Sequence, residues 1–200
     1  GYYSSQDLSN TFSDGADVTV WEDKSPKSND LIQSGDDDLA EYNSAEDSLL
    51  FKRQNEAATN DNYLFTNTIE ASEFTTFFVV NMTPDSATHF HCFLENLDQT
   101  NSNKIETQFV ADDRVFLRVK ANDGTVDIHS QRAKAAGIIN EGVKLLLTCR
   151  KKPHNSDDGF GEIEWFLNKT SILTDDDYDE DIPIKIQRLG DDSTFNGFKG

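Results

Sequence analysis

Asp14-Gly15-Ala16-Asp17-Val18-Thr19-Val20-Trp21-Glu22-Asp23-Lys24-Ser25 is the stretch on which the reading of this chain turns. Asp14-Gly15 forms a turn, Val18-Thr19-Val20-Trp21 alternates as a half-buried strand does, and Glu22 through Pro26 breaks it. Further on, Tyr63-Leu64-Phe65 opens a long series of similar short segments, parted by Gly, Asn, Asp and Ser clusters. That is the all-β pattern.

Working outward, the pattern predicts strands at Val18–Trp21, Leu49–Lys52, Tyr63–Phe65, Phe74–Met82, His89–Glu95, Lys104–Val110 and Val115–Lys120. Others follow at Thr125–Ser130, Gly142–Arg150, Gly161–Leu167 and Ile182–Arg188. In Gly161–Leu167 the residues Ile163, Trp165 and Leu167 should face the core, with Glu162 and Glu164 opposite. Val115, Leu117 and Val119 alternate with Phe116, Arg118 and Lys120 in the same way. Phe74–Met82 is apolar on both faces, as is Val143–Leu147, so both are expected to be central and covered on two sides.

Single helical turns are expected at Asp7–Asn10 and Ser130–Gly137. Asn122-Asp123-Gly124 carries hairpin chemistry and should pair Val115–Lys120 antiparallel with Thr125–Ser130. Asp157-Asp158-Gly159 is a second turn. Pro26–Ser48, Glu56–Asn62, Lys151–Gly159 and Ser171–Asp181 are expected to be long loops. The most acidic stretches are Ser34–Asp38 and Thr174–Asp181. No repeat or linker divides the 200 residues, so a single β-sandwich domain is expected over 1–200.

Composition narrows the function. There are 37 acidic and 18 basic residues, a net charge of −19, which repels phosphate backbones and anionic lipid heads. Nucleic-acid binding is disfavoured. No run of 18 apolar residues exists, and the start lacks the basic-then-apolar order of a leader, so neither membrane insertion nor a signal peptide is expected. Apolar content is 36%, yet 14 Phe, 5 Tyr and 2 Trp supply bulky core material. Cys92 and Cys149 are too few for a disulfide scaffold; they are either buried free thiols or one inter-strand bridge.

On these residues the chain resembles the concanavalin A-like lectin/glucanase family in its laminin-G-like form. The element D-G, V, W-x-D-x-S is present at Asp14, Gly15, Val18, Trp21, Asp23 and Ser25. Leu49-Leu50-Phe51, Tyr63-Leu64 and the Phe74–Asn81 run follow in the family's order. Gly161–Asn168 resembles its G-x-I-x-x-Y-x-N-G strand and turn, with Lys169 where Gly is usual. Ile184-Lys185-Ile186 and Phe195-Asn196-Gly197 resemble its closing segment. The resemblance implies a jelly-roll β-sandwich of two antiparallel sheets whose one interior holds both Trp21 and Phe78. It also implies a further strand after Phe195-Asn196-Gly197, so the chain is expected to be a segment of a longer polypeptide.

Glucanases of that family alternate two or three acids along one strand, as nucleophile and general acid. Only Glu162 and Glu164 approach this, and Phe166 stands where a third acid would be. His89 and His91 share a strand face, but His129 and His154 have no partner at ligand spacing. No nucleophile elbow or phosphate loop occurs. The chain is therefore expected not to be an enzyme. Calcium is the one cofactor the acidic loops could serve, at Asp175, Asp177 and Asp179, although no D-x-[DN]-x-[DN]-G loop is present.

Sugar binding calls for aromatic platforms with Asp or Asn beside them, and Tyr42 with Asn43, Phe160 with Asp158 and Tyr178 with Asp177 are the candidates. Asn81-Met82-Thr83 and Asn168-Lys169-Thr170 match glycosylation sequons. The expected role is a recognition or structural module of a virion surface or extracellular assembly, such as a capsid decoration or tail fibre. Its expected partners are other structural proteins, cell-surface glycans and further copies of itself. A glycoside hydrolase of the laminarinase type and a secreted carbohydrate-binding module are the alternatives.

Overall fold

The computed structural model describes residues 1–33, 40–51, 63–81, 90–95, 104–110, 114–120, 129–134, 144–152, 161–178 and 184–189. A 3-10 helix, Ser5–Asn10, opens the chain. Strands follow as β1 (Val20–Trp21), β2 (Leu31–Gln33), β3 (Glu41–Asn43), β4 (Ser48–Leu50), β5 (Tyr63–Ala71), β6 (Phe74–Val80) and β7 (Phe90–Glu95). Then come β8 (Lys104–Val110), β9 (Arg114–Lys120), β10 (His129–Lys134), β11 (Leu145–Lys152), β12 (Gly161–Leu167), β13 (Thr170–Tyr178) and β14 (Ile184–Leu189).

Every pairing among the described strands is antiparallel. One sheet runs β1-β2-β5-β14-β7-β8-β9-β10 and a second runs β13-β12-β11-β6, with β3-β4 as a small hairpin. Between the two main sheets lies a core of Leu94, Leu145, Leu147, Cys149, Ile163, Trp165, Leu167, Ile184 and Ile186. Because these come from β7 and β14 on one side and β11 and β12 on the other, the molecule is a β-sandwich. The expected inward set Ile163, Trp165 and Leu167 is buried.

A second cluster joins the N-terminal segment to β2, β3, β4 and β5 through Leu8, Val18, Leu31, Ala40, Tyr42, Leu49, Phe51 and Tyr63. Trp21 packs here, whereas Phe78 packs on the inter-sheet core, so the single interior expected for both is in fact two. Phe65 and Leu189 touch both clusters and join them.

The opening stretch works as a corner. Its first half hydrogen-bonds to the β3 segment, with Gly15 N–H donating to Tyr42 O at 2.8 Å and Tyr42 N–H to Ala16 O at 2.9 Å. Gly15 has φ +73°, a conformation that glycine adopts without a Cβ penalty. The second half crosses to β2, pairing Val20 with Ile32 and Trp21 with Leu31.

Several expectations are corrected. Ser130–Gly137 does not begin a helix: His129–Lys134 is strand β10, paired along its length with β9. The expected pairing partner of Val115–Lys120 is therefore shifted, and the turn at Asn122-Asp123-Gly124 lies outside the described residues. Pro26–Ser48 contains β2 and β3, and most of Ser171–Asp181 is β13. The strand expected at Phe74–Met82 is not central among the described strands. As β6 it ends the four-stranded sheet, and Phe77 and Val79 are 68% and 73% exposed. By contrast β11 is interior to its sheet, with Leu145 and Leu147 buried. Cys149 is a buried free thiol in that core, so the bridge to Cys92 is not formed; burial pushes the thiol pKa up. Glu56–Asn62, Asp157-Asp158-Gly159, His89, His154, the Ser34–Asp38 run and Phe195-Asn196-Gly197 lie outside the described residues. No helix of the described residues is long and apolar enough to cross a membrane.

Candidate binding face

Strand alternation sends one side chain in two outward from the four-stranded sheet, and the register aligns them in rows. Phe77 of β6 stands opposite Thr148 of β11, which stands opposite Phe166 of β12. The next row is Thr75, Arg150 and Glu164. Lys152 and Glu162 form a third, and Val79 with Leu146 lies on the other side of the aromatic row. The face thus sets an exposed ring beside a strip of paired charges.

The charges compensate one another. Arg150 donates to the Glu164 carboxylate through Nε, and its Nη2 sits on the same oxygen. Lys152 Nζ donates to Glu162 Oε1 at 2.8 Å and lies 3.4 Å from Glu164 Oε2. The Arg150 guanidinium also sits 5.4 Å from the centroid of the Phe166 ring, a cation–π distance. Partial burial would raise the Glu164 pKa, but its hydrogen bonds with Arg150, Glu162 and Lys152 outweigh it and hold the carboxyl below its ordinary value. Glu162 in turn raises Lys152. Each acid thus has a cation within ion-pair distance, and the face presents fixed polar groups beside the exposed ring.

A second polar centre lies at the motif aspartate. Asp23 is buried and accepts hydrogen bonds from the backbone N–H groups of Tyr2 at 2.7 Å, Ser25 at 2.8 Å and Asn29 at 3.0 Å. The Ser25 hydroxyl adds a fourth at 2.8 Å. Burial alone would raise its pKa; the four donors overcome that and take it far below the usual carboxylate range. Asn29 carries the network onward, donating to Asn67 O and accepting from Asn67 N–H. Tyr3 donates its hydroxyl to Asn29 O, and its phenol pKa is pushed up by burial and by Asp23 and Asp30. Every oxygen of Asp23 that could meet a ligand is already used within the chain. This centre is structural.

The residues expected to bind sugar are placed differently. Tyr42 is buried in β3 and donates its hydroxyl to Asp47 at 2.9 Å, so its ring offers no platform. Asn43 Oδ1 accepts from Ala45 and Glu46 N–H and closes the β3–β4 turn. Asp158, Phe160 and Asp179 lie outside the described residues. Asp175, Asp177 and Tyr178 belong to strand β13, not to a loop, with Asp175 opposite Ile163 and Tyr178 opposite Gly161. Among the described residues no three His, Cys, Asp or Glu side chains are grouped to hold a metal ion. Phe77 was missed at the sequence level because an apolar strand shows nothing of which flank stays uncovered. Glu162 and Glu164, by contrast, were legible from alternation.

No protein-family model matches the chain, and no curated protein matches it. Among solved structures, the enzymatically active domain of tailspike protein 2 from bacteriophage CBA120 is similar over 99% of this chain and 29% of its own, at TM-score 0.57 and 14% identity. Full-length tailspike protein 2 from Escherichia coli O157:H7 bacteriophage CAB120 is similar over 76% of this chain and 21% of its own, at TM-score 0.55 and 17% identity. The chain therefore spans less than a third of either protein, and what it shares with them is a fold.

Proposed function

We propose that this chain is a non-catalytic recognition and structural module of a virion surface assembly, a capsid decoration or tail fibre, built on a β-sandwich. Host glycans bind on the outward face of its four-stranded sheet. The observation that carries this reading is the exposed Phe77 ring beside the Arg150–Glu164 row. The C–H face of a sugar stacks on an aromatic ring, while a fixed carboxylate and guanidinium take its hydroxyls through charge-assisted hydrogen bonds. The fold shared with phage tailspike proteins supports the virion setting.

Catalysis is not part of the proposal. A retaining glycosidase needs one carboxyl protonated near neutral pH to act as acid. Arg150 and Lys152 hold the Glu164 carboxyl below its ordinary value, the wrong direction for such an acid.

A glycan array with and without Ca²⁺ tests the reading. The wild-type chain is expected to bind, and Phe77→Ala to lose about tenfold in affinity. Because Phe77 is exposed, its stability should stay within about 0.5 kcal/mol. Absence of binding to any sugar would leave the structural role alone. Reducing-sugar release from β-glucans, abolished by Glu162→Gln with Glu164→Gln, would overturn the non-catalytic assignment.

A further inference from the structure

We infer that β6 joins a second copy of this chain, edge to edge and antiparallel, across a two-fold axis at Phe77. The four-stranded sheet ends at β6, which has β11 on one side and, among the described residues, no strand on the other. Natural sheet edges are usually blunted by lysine, proline, a bulge or a covering element. Phe74–Val80, FTTFFVV, has no charge, proline or glycine, and its ladder with β11 runs without a bulge from Phe74 to Val80. Phe77 and Val79 are also the most exposed large apolar side chains among the described residues.

Two observations select a second copy as the occupant. The first is charge. At −19, two copies repel over most of their surfaces, and approach costs least where the surface is neutral. The strand itself is uncharged, and on the face beside it Arg150, Lys152, Glu162 and Glu164 are compensated among themselves, while the exposed Glu73 flanks its start. A basic partner would instead be drawn to the uncompensated acids elsewhere.

The second is self-complementarity. Antiparallel pairing centred on Phe77 sets Thr75 opposite Val79 of the partner subunit, and Phe77 opposite Phe77 of the partner subunit. Aromatic and β-branched cross-strand pairs of this kind favour the ladder. Two four-stranded sheets then become one continuous eight-stranded sheet, with both Phe77 rings on its outward face. A single strand edge buries little surface, so the dimer is weak and concentration-dependent rather than obligate.

The test is sedimentation of the 200-residue chain, without sugar, over roughly a hundredfold range of concentration. The wild type is expected to move from monomer towards dimer mass. Phe77→Lys alone and Phe77→Glu alone, each placing like charges directly opposite, should stay monomeric across that range. An equimolar mixture of the two should regain dimer mass, since the opposed charges then attract. Circular dichroism on each variant confirms that it is folded. A wild type that stays monomeric throughout, a Phe77→Lys chain that dimerises like it, or a mixture that stays monomeric overturns the inference. The glycan reading is untouched by any of these results, because no sugar enters the measurement.

Discussion

Asp23 shows how one carboxylate can hold an N-terminal segment onto a sandwich. Its four hydrogen bonds reach Tyr2, Ser25 and Asn29, and Asn29 passes the connection to β5 through Asn67. The folded pKa lies below the unfolded value of about 4, so the group adds stability at neutral pH. That contribution is lost as pH falls below about 4 and the carboxyl takes up its proton. Asp23→Ala leaves three backbone donors without an acceptor and should cost about 3 kcal/mol at pH 7, measured by urea unfolding. The difference between variant and wild type should shrink on acidification. Equal loss at pH 7 and pH 3 would refute this account. The motif around Trp21 marked Asp23 in the sequence, but its role was hidden, because two of its donors lie 21 residues before it and 6 after it. Tyr42 was misread for a related reason: Glu41-Tyr42-Asn43 is too short a run to show a period, and its burial depends on Leu8, Val18 and Tyr63.

At the scale of elements, most strands were legible, the short ones at Val18–Trp21 and Leu49–Lys52 among them, whereas β2, β3, β10 and the acidic β13 were not. Gly161–Leu167 declared itself by alternation and is found where expected. Thr170–Tyr178 did not, since three consecutive aspartates argue against a strand; its pairing with β12 overrides that propensity. The turn joining these two strands carries a local fault. Asn168 and Lys169 have φ +48° and +72°, the pair of left-handed conformations that a two-residue hairpin demands and that Asn-Gly supplies without strain. Lys169→Gly should therefore stabilise the chain by about 1 kcal/mol, seen as a higher urea midpoint. A lower midpoint would mean that the lysine side chain contributes more than its backbone costs. Asn168 should be retained in that variant, because its Oδ1 accepts from Leu146 N–H at 3.0 Å and fastens the turn to β11.

For the whole molecule, charge and core act against each other. The sandwich core and the N-terminal cluster draw the chain together, while a net charge of −19 pushes its surface apart. Exposed ion pairs are worth about 0–1 kcal/mol each, so screening the pairs formed among the described residues costs less than screening the excess of acids gains. The thermal midpoint should rise by several degrees between about 10 mM and about 0.5 M NaCl. A fall would mean that the Arg150–Glu164–Lys152–Glu162 strip outweighs the general repulsion.

The position of β14 has a consequence for how the chain is made. The strand comes last among the described elements, yet it lies between β5 and β7 in the larger sheet. It also delivers Ile184 and Ile186 to one core and Leu189 to both. A ribosome releases residues in order, so β5 and β7 emerge with the slot between them still vacant. The sandwich closes only when its keystone arrives, and until then the nascent chain has two unsatisfied strand flanks to shield.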